Sequence, residues 1–253
     1  MNKKFKTAVI GLVSSVLFAG SASAHMFIMK PDKMNVSSGS EVVVEATLSE
    51  PLFKADISGS MLEAKEYKIS FSAALVSGKS KTELDAKSFK PNNSDPSKAT
   101  ASVGSVKISD KGTSVLCGMF DMINKEGKKT RCFAKTFINL TNDGMTTKLL
   151  GDGSAAEIVL IDNVKAIKKG DTVKVKVLLK GKPLADAEVS ATFDGAPSKA
   201  ADNPENEYIT VKTDAAGVAS FKIDSSNLWG FTVEYTDSRD NVRYRSSSLF
   251  AVK

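Results

Sequence analysis

The residue with the clearest chemical potential is His25, the only histidine among the 253 residues of the chain. It directly follows Ala22-Ser23-Ala24, a run of small residues of the kind that signal peptidase cleaves. Cleavage after Ala24 would give His25 a free α-amine beside its imidazole. These two nitrogens can close a chelate ring on Ni, Cu, Zn or Fe, metals that imidazole suits. The sequence therefore predicts a metal-binding amino terminus.

Residues 1–24 have the three parts of a secretory signal peptide. A start rich in lysine precedes an apolar run from Ala8 to Ala19, and the small residues before His25 end the segment. The apolar run is shorter than the roughly 20 residues that span a bilayer. We expect an exported, periplasmic protein that has no membrane span once this segment is removed.

Two methionines near His25 are candidate auxiliary ligands. Met26 and Met29 carry thioethers, which favour Cu(I). In a strand, Met29 would share the face of His25, whereas Met26 would point to the opposite face. Methionine also fills apolar cores, and that alternative applies to both residues.

The two cysteines, Cys117 and Cys132, flank a lysine-rich turn that contains Gly127. Disulfides persist in exported proteins. We therefore predict a hairpin that a Cys117–Cys132 bond cross-links near its base. A turn centred on Glu126-Gly127 would not place the two residues opposite each other, so the prediction requires a bulge or an asymmetric loop. A metal site of soft ligands, with Met119 and Met122 nearby, is the alternative.

Short runs in which apolar and polar residues alternate recur along the chain, which is typical of antiparallel β-sheets. In one run Val42, Val44 and Ala46 share a face. We expect Trp229 to pack in the core. The runs are residues 41–48, 171–179, 187–193, 207–212, 217–223, 229–235 and 247–252.

This pattern predicts an all-β fold of two immunoglobulin-like antiparallel β-sandwich domains after the signal peptide. A glycine-rich spacer at 151–154 suggests the boundary, so we predict domains at 25–152 and 153–253. About 100 residues with some seven strands fits an immunoglobulin-like sandwich.

Charge and motifs argue against several function classes. The formal net charge of +6 includes three lysines of residues 1–24, and without them it falls by three to +3. Lysines and acids are interspersed, whereas a nucleic-acid binder clusters its basic residues. With a single histidine and no phosphate-binding or nucleophile-elbow motif, we predict no enzymatic activity.

The C-terminal half resembles a known family in the segments GKPLADAEV, TDAAGVASF and LWGFTVEY. These segments and the sequence Ala24-His25-Met26-Phe27 are similar to a bacterial family of exported proteins of unknown function, described as periplasmic components of nickel and cobalt uptake. The resemblance implies a β-sandwich linked to transition-metal handling, with His25 as the one position that carries over. Relatives usually have further histidines, which this chain lacks.

Two functional hypotheses follow. In the first, the protein binds nickel, cobalt or copper through His25, with Met26 or Met29 as an auxiliary ligand, and passes the ion to an inner-membrane metal transporter. In the second, it is an exported immunoglobulin-like interaction module that binds an envelope protein or a glycan without metal. Fold alone does not decide between them.

Overall fold

The computed structural model describes residues 26–49, 52–53, 67–92, 101–109, 111–141, 143–151, 153–161, 167–196 and 208–253. Within these residues nearly all regular structure is β-strand, with short 3-10 helices at Ala86–Ser88 and Met145–Thr147. The strands in chain order are β1 Met26–Pro31, β2 Glu41–Ser49, β3 Lys68–Ser77, β4 Ser80–Leu84, β5 Lys90–Pro91, β6 Ser102–Lys107, β7 Ser114–Ile123, β8 Lys129–Ile138, β9 Ala156–Leu160, β10 Thr172–Leu179, β11 Lys182–Pro183, β12 Glu188–Phe193, β13 Ile209–Lys212, β14 Val218–Lys222, β15 Leu228–Asp237 and β16 Val242–Ala251. The prediction of an all-β fold is confirmed.

Three sheets make up the described part of the molecule. The large sheet has eight strands in the order β13-β12-β15-β16-β8-β7-β3-β4. A small N-terminal sheet has the order β1-β2-β6-β5, and a small C-terminal sheet joins β11, β10 and β14, with β9 also paired to β10. Neighbouring strands pair antiparallel except β8 and β16, which run parallel.

The alternating runs form strands because one side of each faces a core. Val42, Val44 and Ala46 on β2 are fully buried, as their alternation predicts. On β10, Val173, Val175 and Val177 are buried, and the lysines between them point outward.

Trp229 is fully buried, as predicted. Its ring centroid lies 5.3 Å from that of Phe193. Its indole N–H donates to the carbonyl oxygen of Ser225 at 3.0 Å, which satisfies the polar atom of this buried ring.

β7 and β8 form the predicted hairpin. Their register is unbroken from the Ser114–Ile138 pair to the Ile123–Lys129 pair. In the connecting turn, the side-chain oxygen of Asn124 accepts hydrogen bonds from the amides of residues 126 and 128. Gly127 takes a φ of 79°, a backbone conformation that glycine adopts at low cost.

The two faces of the large sheet are covered by different layers. Side chains alternate along β8, so Phe133, Lys135 and Phe137 lie on one face, here called face A, and Ala134 and Thr136 lie on the other, face B. Face A packs against the small C-terminal sheet in a core that includes Val175 and Phe221. Face B packs against the small N-terminal sheet in a core that includes Phe27, Met29 and Val44.

Strands from both sides of the predicted boundary join the large sheet. β8 pairs with β16 from the Lys129–Val242 pair to the Thr136–Leu249 pair. The core against face A also contains Val76 and Val115 from the N-terminal half. The division into units 25–152 and 153–253 stays a prediction. The pairing of β8 with β16 shows that both halves of the chain contribute strands to one sheet.

Candidate functional site

His25 lies outside the described residues, which begin at Met26. Met26 is the first residue of β1, and it pairs with Ser49 on β2. The six residues of β1 are in register with β2 as far as the Pro31–Val44 pair. The peptide unit that follows His25 therefore leads directly into a strand whose backbone is fixed.

The two candidate methionine ligands lie on opposite faces of β1. The side chain of Met29 is fully buried and belongs with Phe27 to the core against face B. Met26 is 8% exposed and packs in a separate apolar cluster with Ile28, Leu52 and Leu249. The structure thus separates the two thioethers, and ligation of a metal by either one stays a prediction.

The free edge of β1 is anchored to face B. The hydroxyl of Ser247 on β16 donates to the carbonyl oxygen of Phe27 at 2.6 Å, and the hydroxyl of Thr136 on β8 donates to that of Met29 at 2.6 Å. Both hydroxyl residues are buried. Because an unpaired strand edge buried away from water needs partners for its carbonyls, these two bonds fix β1 across the junction of β8 and β16.

The predicted Cys117–Cys132 disulfide is wrong: both cysteines are free and buried. Cys117 lies opposite Lys135 and Cys132 opposite Phe120. Lys135 is three residues from Cys132 along β8, about 10 Å at the usual strand rise, whereas the Cα atoms of a disulfide lie within about 7 Å. An odd offset also puts the two side chains on opposite faces, and they belong to different cores. The register contains no bulge that would correct this.

Both thiols are unreactive in the folded protein. Burial raises the pKa of Cys117 to about 12, although the charge of Lys135 opposes the shift. Burial likewise raises the pKa of Cys132 to about 12. Since the thiolate is the nucleophile and the metal ligand, neither residue presents a reactive sulfur at neutral pH.

A buried ion pair that the sequence analysis missed lies on face A. Lys135 has no exposed side-chain surface, and its Nζ lies 2.9 Å from Oε1 of Glu157 on β9, whose side chain is 7% exposed. The carboxylate of Glu157 also accepts hydrogen bonds from the amides of Leu150 and Gly151, at 2.8 Å and 3.0 Å. One anion thus joins a strand of the N-terminal half, a strand of the C-terminal half and the segment between them.

The sequence holds a signal for this pair. Lys135 stands between Phe133 and Phe137 at the spacing of a strand face, so a lysine falls where an apolar residue belongs. Glu157 interrupts the apolar run Ala155–Leu160 in the same way. A lysine or glutamate is almost never fully buried unless it is paired. Two such positions in one chain are therefore candidates for an ion pair with each other.

Unpartnered hydroxyls lie beside the pair. Ser248 is opposite Lys135 on the neighbouring strand β16, and Ser246 is opposite Phe133. Both hydroxyl oxygens are buried, and neither has a hydrogen-bond partner in the described part of the protein. Face A therefore carries a small polar region inside an otherwise apolar core.

The half-buried Asp121 and the buried Asp237 serve as structural anions. Burial raises the pKa of Asp121, but hydrogen bonds from Arg131 and Lys129 outweigh that effect and lower the pKa below its ordinary value. The hydrogen bond from the Arg239 side chain lowers the pKa of Asp237 even further. Both carboxylates are therefore ionised at neutral pH, and adjacent cationic side chains hold them in place.

Among the described residues, no group of three or more histidine, cysteine, aspartate or glutamate side chains is arranged to hold a metal ion. In the same residues no helix has the length and apolar character needed to cross a bilayer.

The comparisons with known proteins identify a family but no activity. A family model described as a domain of unknown function (DUF4198) matches residues 22–237. No curated protein matches the chain significantly.

Solved structures with a similar arrangement are distant. The type II cohesin dyad of the adaptor scaffoldin ScaA from Acetivibrio cellulolyticus is 12% identical, with 90% of this chain and 93% of that chain covered and a TM-score of 0.30. The major pilin subunit BcpA of Bacillus cereus is 11% identical, with 86% and 62% covered and a TM-score of 0.25. The D00-D0 domain of intimin is 12% identical, with 89% and 100% covered and a TM-score of 0.21. Scores this low support no conclusion about function.

Proposed function

We propose, starting from the fact that the chain belongs to the DUF4198 family of domains of unknown function, that it is an exported protein that binds a transition-metal ion at its processed amino terminus. His25 is the anchoring residue and supplies the α-amine and one imidazole nitrogen. The cargo is nickel or cobalt, as the family resemblance in the sequence implies, or copper, as the ligand chemistry allows. A membrane transporter would receive the ion.

The observation that carries this proposal is the fixed position of β1 directly after His25. Met26 is paired with Ser49, and the carbonyls of Phe27 and Met29 are bonded to the large sheet. A ligand attached to a fixed backbone loses less conformational freedom on binding than one at the end of a free chain. The α-amine has an ordinary pKa near 8, so a metal ion competes readily with its proton at neutral pH.

Of the two methionines, Met29 shares the alternation of His25 along the strand, but its thioether is fully buried among Phe27 and its neighbours. Met26 keeps 8% of its surface exposed. We therefore propose His25 as the principal ligand. The thioethers have at most a supporting part, and Met26 is the better candidate of the two because some of its surface is exposed.

The test is calorimetry with Ni(II) and Cu(II) on processed protein whose first residue has been established by intact mass. We expect one ion to bind per chain. Adding the four residues Gly-Ser-Gly-Ser before His25 separates the α-amine from the imidazole, and His25→Ala removes the imidazole, so each variant should lose most of the affinity. Met145→Leu is the matched control, which removes a thioether from the core against face A and keeps both nitrogens and both candidate methionines. Unchanged affinity in the extended protein or in His25→Ala would overturn the proposal.

Metal content separates this proposal from the interaction-module hypothesis. Protein purified without an affinity tag should contain nickel, cobalt or copper. A protein that is free of metal, does not bind it in calorimetry and retains an envelope protein or a glycan would favour the interaction module instead.

A further inference from the structure

One edge of β9 is buried without a neighbouring strand. β9 pairs with β10 on one side, and in the described part of the protein no strand pairs with its other side. All five residues of β9 are buried. A strand edge that is buried away from water needs hydrogen-bond partners for its N–H and C=O groups. We call this side the free edge of β9.

The register shows which residues direct their backbone groups to the free edge. The amide of Ile161 donates to the carbonyl oxygen of Lys174, and the amide of Lys180 donates to that of Ala155. Because hydrogen-bonded pairs alternate along an antiparallel ladder, the odd-numbered residues of β9 bond β10. The even-numbered residues therefore direct their N–H and C=O groups to the free edge; they are Ala156, Ile158 and Leu160.

Two buried hydroxyls lie on the part of face A beside β9. β9 packs against β16, and Ala156 belongs to one apolar cluster with Tyr244 of β16. Ser246 and Ser248 follow Tyr244 on the same face of β16. Their exposed fractions are 1% and 0%, and neither hydroxyl oxygen has a hydrogen-bond partner among the described residues. A buried hydroxyl without a partner costs stability, so these two groups have the same need as the free edge.

Face B shows how a buried strand edge is satisfied by direct contact. There the hydroxyls of Thr136 and Ser247 donate to carbonyl oxygens of β1 at 2.6 Å. On face A, the hydroxyls of Ser246 and Ser248 on the same strand β16 make no such bond to the described part of β9. The hydroxyls and the free edge of β9 therefore need a partner that lies between them.

We propose that ordered water molecules bind between the free edge of β9 and the hydroxyls of Ser246 and Ser248. A strand edge presents both donors and acceptors, and water is a small ligand that both donates and accepts. An anion would suit the amides but repel the carbonyl oxygens, and a metal cation would do the reverse. A buried water typically makes about three hydrogen bonds, which one hydroxyl and two backbone groups can supply.

Lys135 adds donors to the same region. It lies opposite Ser248 on the neighbouring strand β8. Its ammonium has three N–H groups, and Oε1 of Glu157 accepts one of them at 2.9 Å. Water beside Ser248 can accept from the same ammonium, which would extend the polar region from the ion pair to the free edge of β9.

The experiment is a high-resolution crystal structure of the processed protein. We expect water molecules within hydrogen-bond distance of the hydroxyls of Ser246 and Ser248 and of the backbone groups on the free edge of β9. Direct bonds from the two hydroxyls to β9 with no water between them would overturn the proposal. A region without water in which the hydroxyls stay unpaired would overturn it as well.

Melting temperatures give an independent test in solution. If the hydroxyls hold water, Ser246→Ala/Ser248→Ala removes hydrogen bonds, and the melting temperature should fall by a few degrees. If the hydroxyls are unpaired in a dry core, the same variant removes two unsatisfied polar groups, and the melting temperature should rise.

The matched control is Ser70→Ala/Ser105→Ala, which removes two hydroxyls at exposed positions of β3 and β6 and should leave the melting temperature unchanged. A Ser246→Ala/Ser248→Ala protein that melts at or above the temperature of the unmodified protein would contradict the proposal. None of these outcomes depends on His25 or on metal.

Discussion

The two faces of the large sheet hold their covering layers by different chemistry. On face A, a buried ion pair between Lys135 and Glu157 joins β8 to β9 and to the segment at residues 150–151. On face B, neutral hydroxyls of Thr136 and Ser247 bond the backbone of β1.

This difference matters because the two kinds of contact respond differently to substitution. A buried ion pair contributes little net stability over an apolar pair of the same size, but removing one partner leaves a charge in the core. A neutral hydrogen bond contributes about 1 kcal/mol, and its loss is correspondingly mild. Removing one partner of the ion pair on face A should therefore cause a large loss of stability, whereas removing one hydroxyl on face B should cause a small one.

The largest effect is expected for Glu157→Gln, which leaves Lys135 buried without its counter-ion. We expect a loss of about 3–5 kcal/mol in the free energy of unfolding, measured by urea denaturation. The double variant Lys135→Met/Glu157→Gln should recover part of that loss, because no charge remains in the core. If the single variant is as stable as the unmodified protein, the ion pair does not hold face A.

Gly118→Ala should have the next largest effect, on face B. A Cβ atom at this position would collide with the sulfur of Met29 and lie 2.7 Å from the Phe27 ring, so β1 would have to move. We expect a loss of about 1–3 kcal/mol, typical of overpacking. Gly78→Asn is the control, since no atom lies within 4 Å and asparagine tolerates its φ of 55°. Equal losses in the two variants would contradict the close approach of β1.

Thr136→Val removes the hydroxyl that bonds the Met29 carbonyl and keeps the shape of the side chain. We expect a loss of about 1 kcal/mol, and a similar loss for Ser247→Ala. Ser220→Ala, at an exposed position, should change nothing. Denaturation that does not distinguish these variants from Ser220→Ala would mean that the edge of β1 is not anchored by hydroxyls.

The smallest effect is expected from reductant. With no disulfide, the melting temperature should be the same with and without dithiothreitol, and both thiols should react with alkylating agents only on unfolding. Burial raises the pKa of each thiol from an ordinary 9.0 to about 12, so the folded state holds these protons more tightly. The contribution is complete below pH 9 and is lost as the pH rises towards 12. A shift in melting temperature on reduction would contradict the assignment.

Local alternation predicted the strands well, because it reports directly which side of a strand meets a core. The runs around Val44, Val175 and Ala191 and the β7–β8 hairpin are all present in the structure. The position of Trp229 in the core was also predictable, since a single large apolar side chain at a strand start has few other uses.

Other features depend on register or on distant pairing, which alternation does not encode. The disulfide prediction failed because a change of one residue in register moves a side chain to the opposite face of the sheet. The parallel pairing of β8 with β16 joins segments more than 100 residues apart in the chain. Gly104 on β6 leaves room for the ring of Phe89, since a Cβ atom at this position would lie 3.1 Å from it.

The most direct test of the account concerns the junction of the two halves. Hydrogen exchange followed by mass spectrometry can compare peptides from β8 and β16 at increasing urea concentration. If the two strands belong to one sheet held from both faces, their amides should be among the slowest to exchange and should lose protection together. Loss of protection in β16 at clearly lower urea than in β8 would contradict a shared sheet.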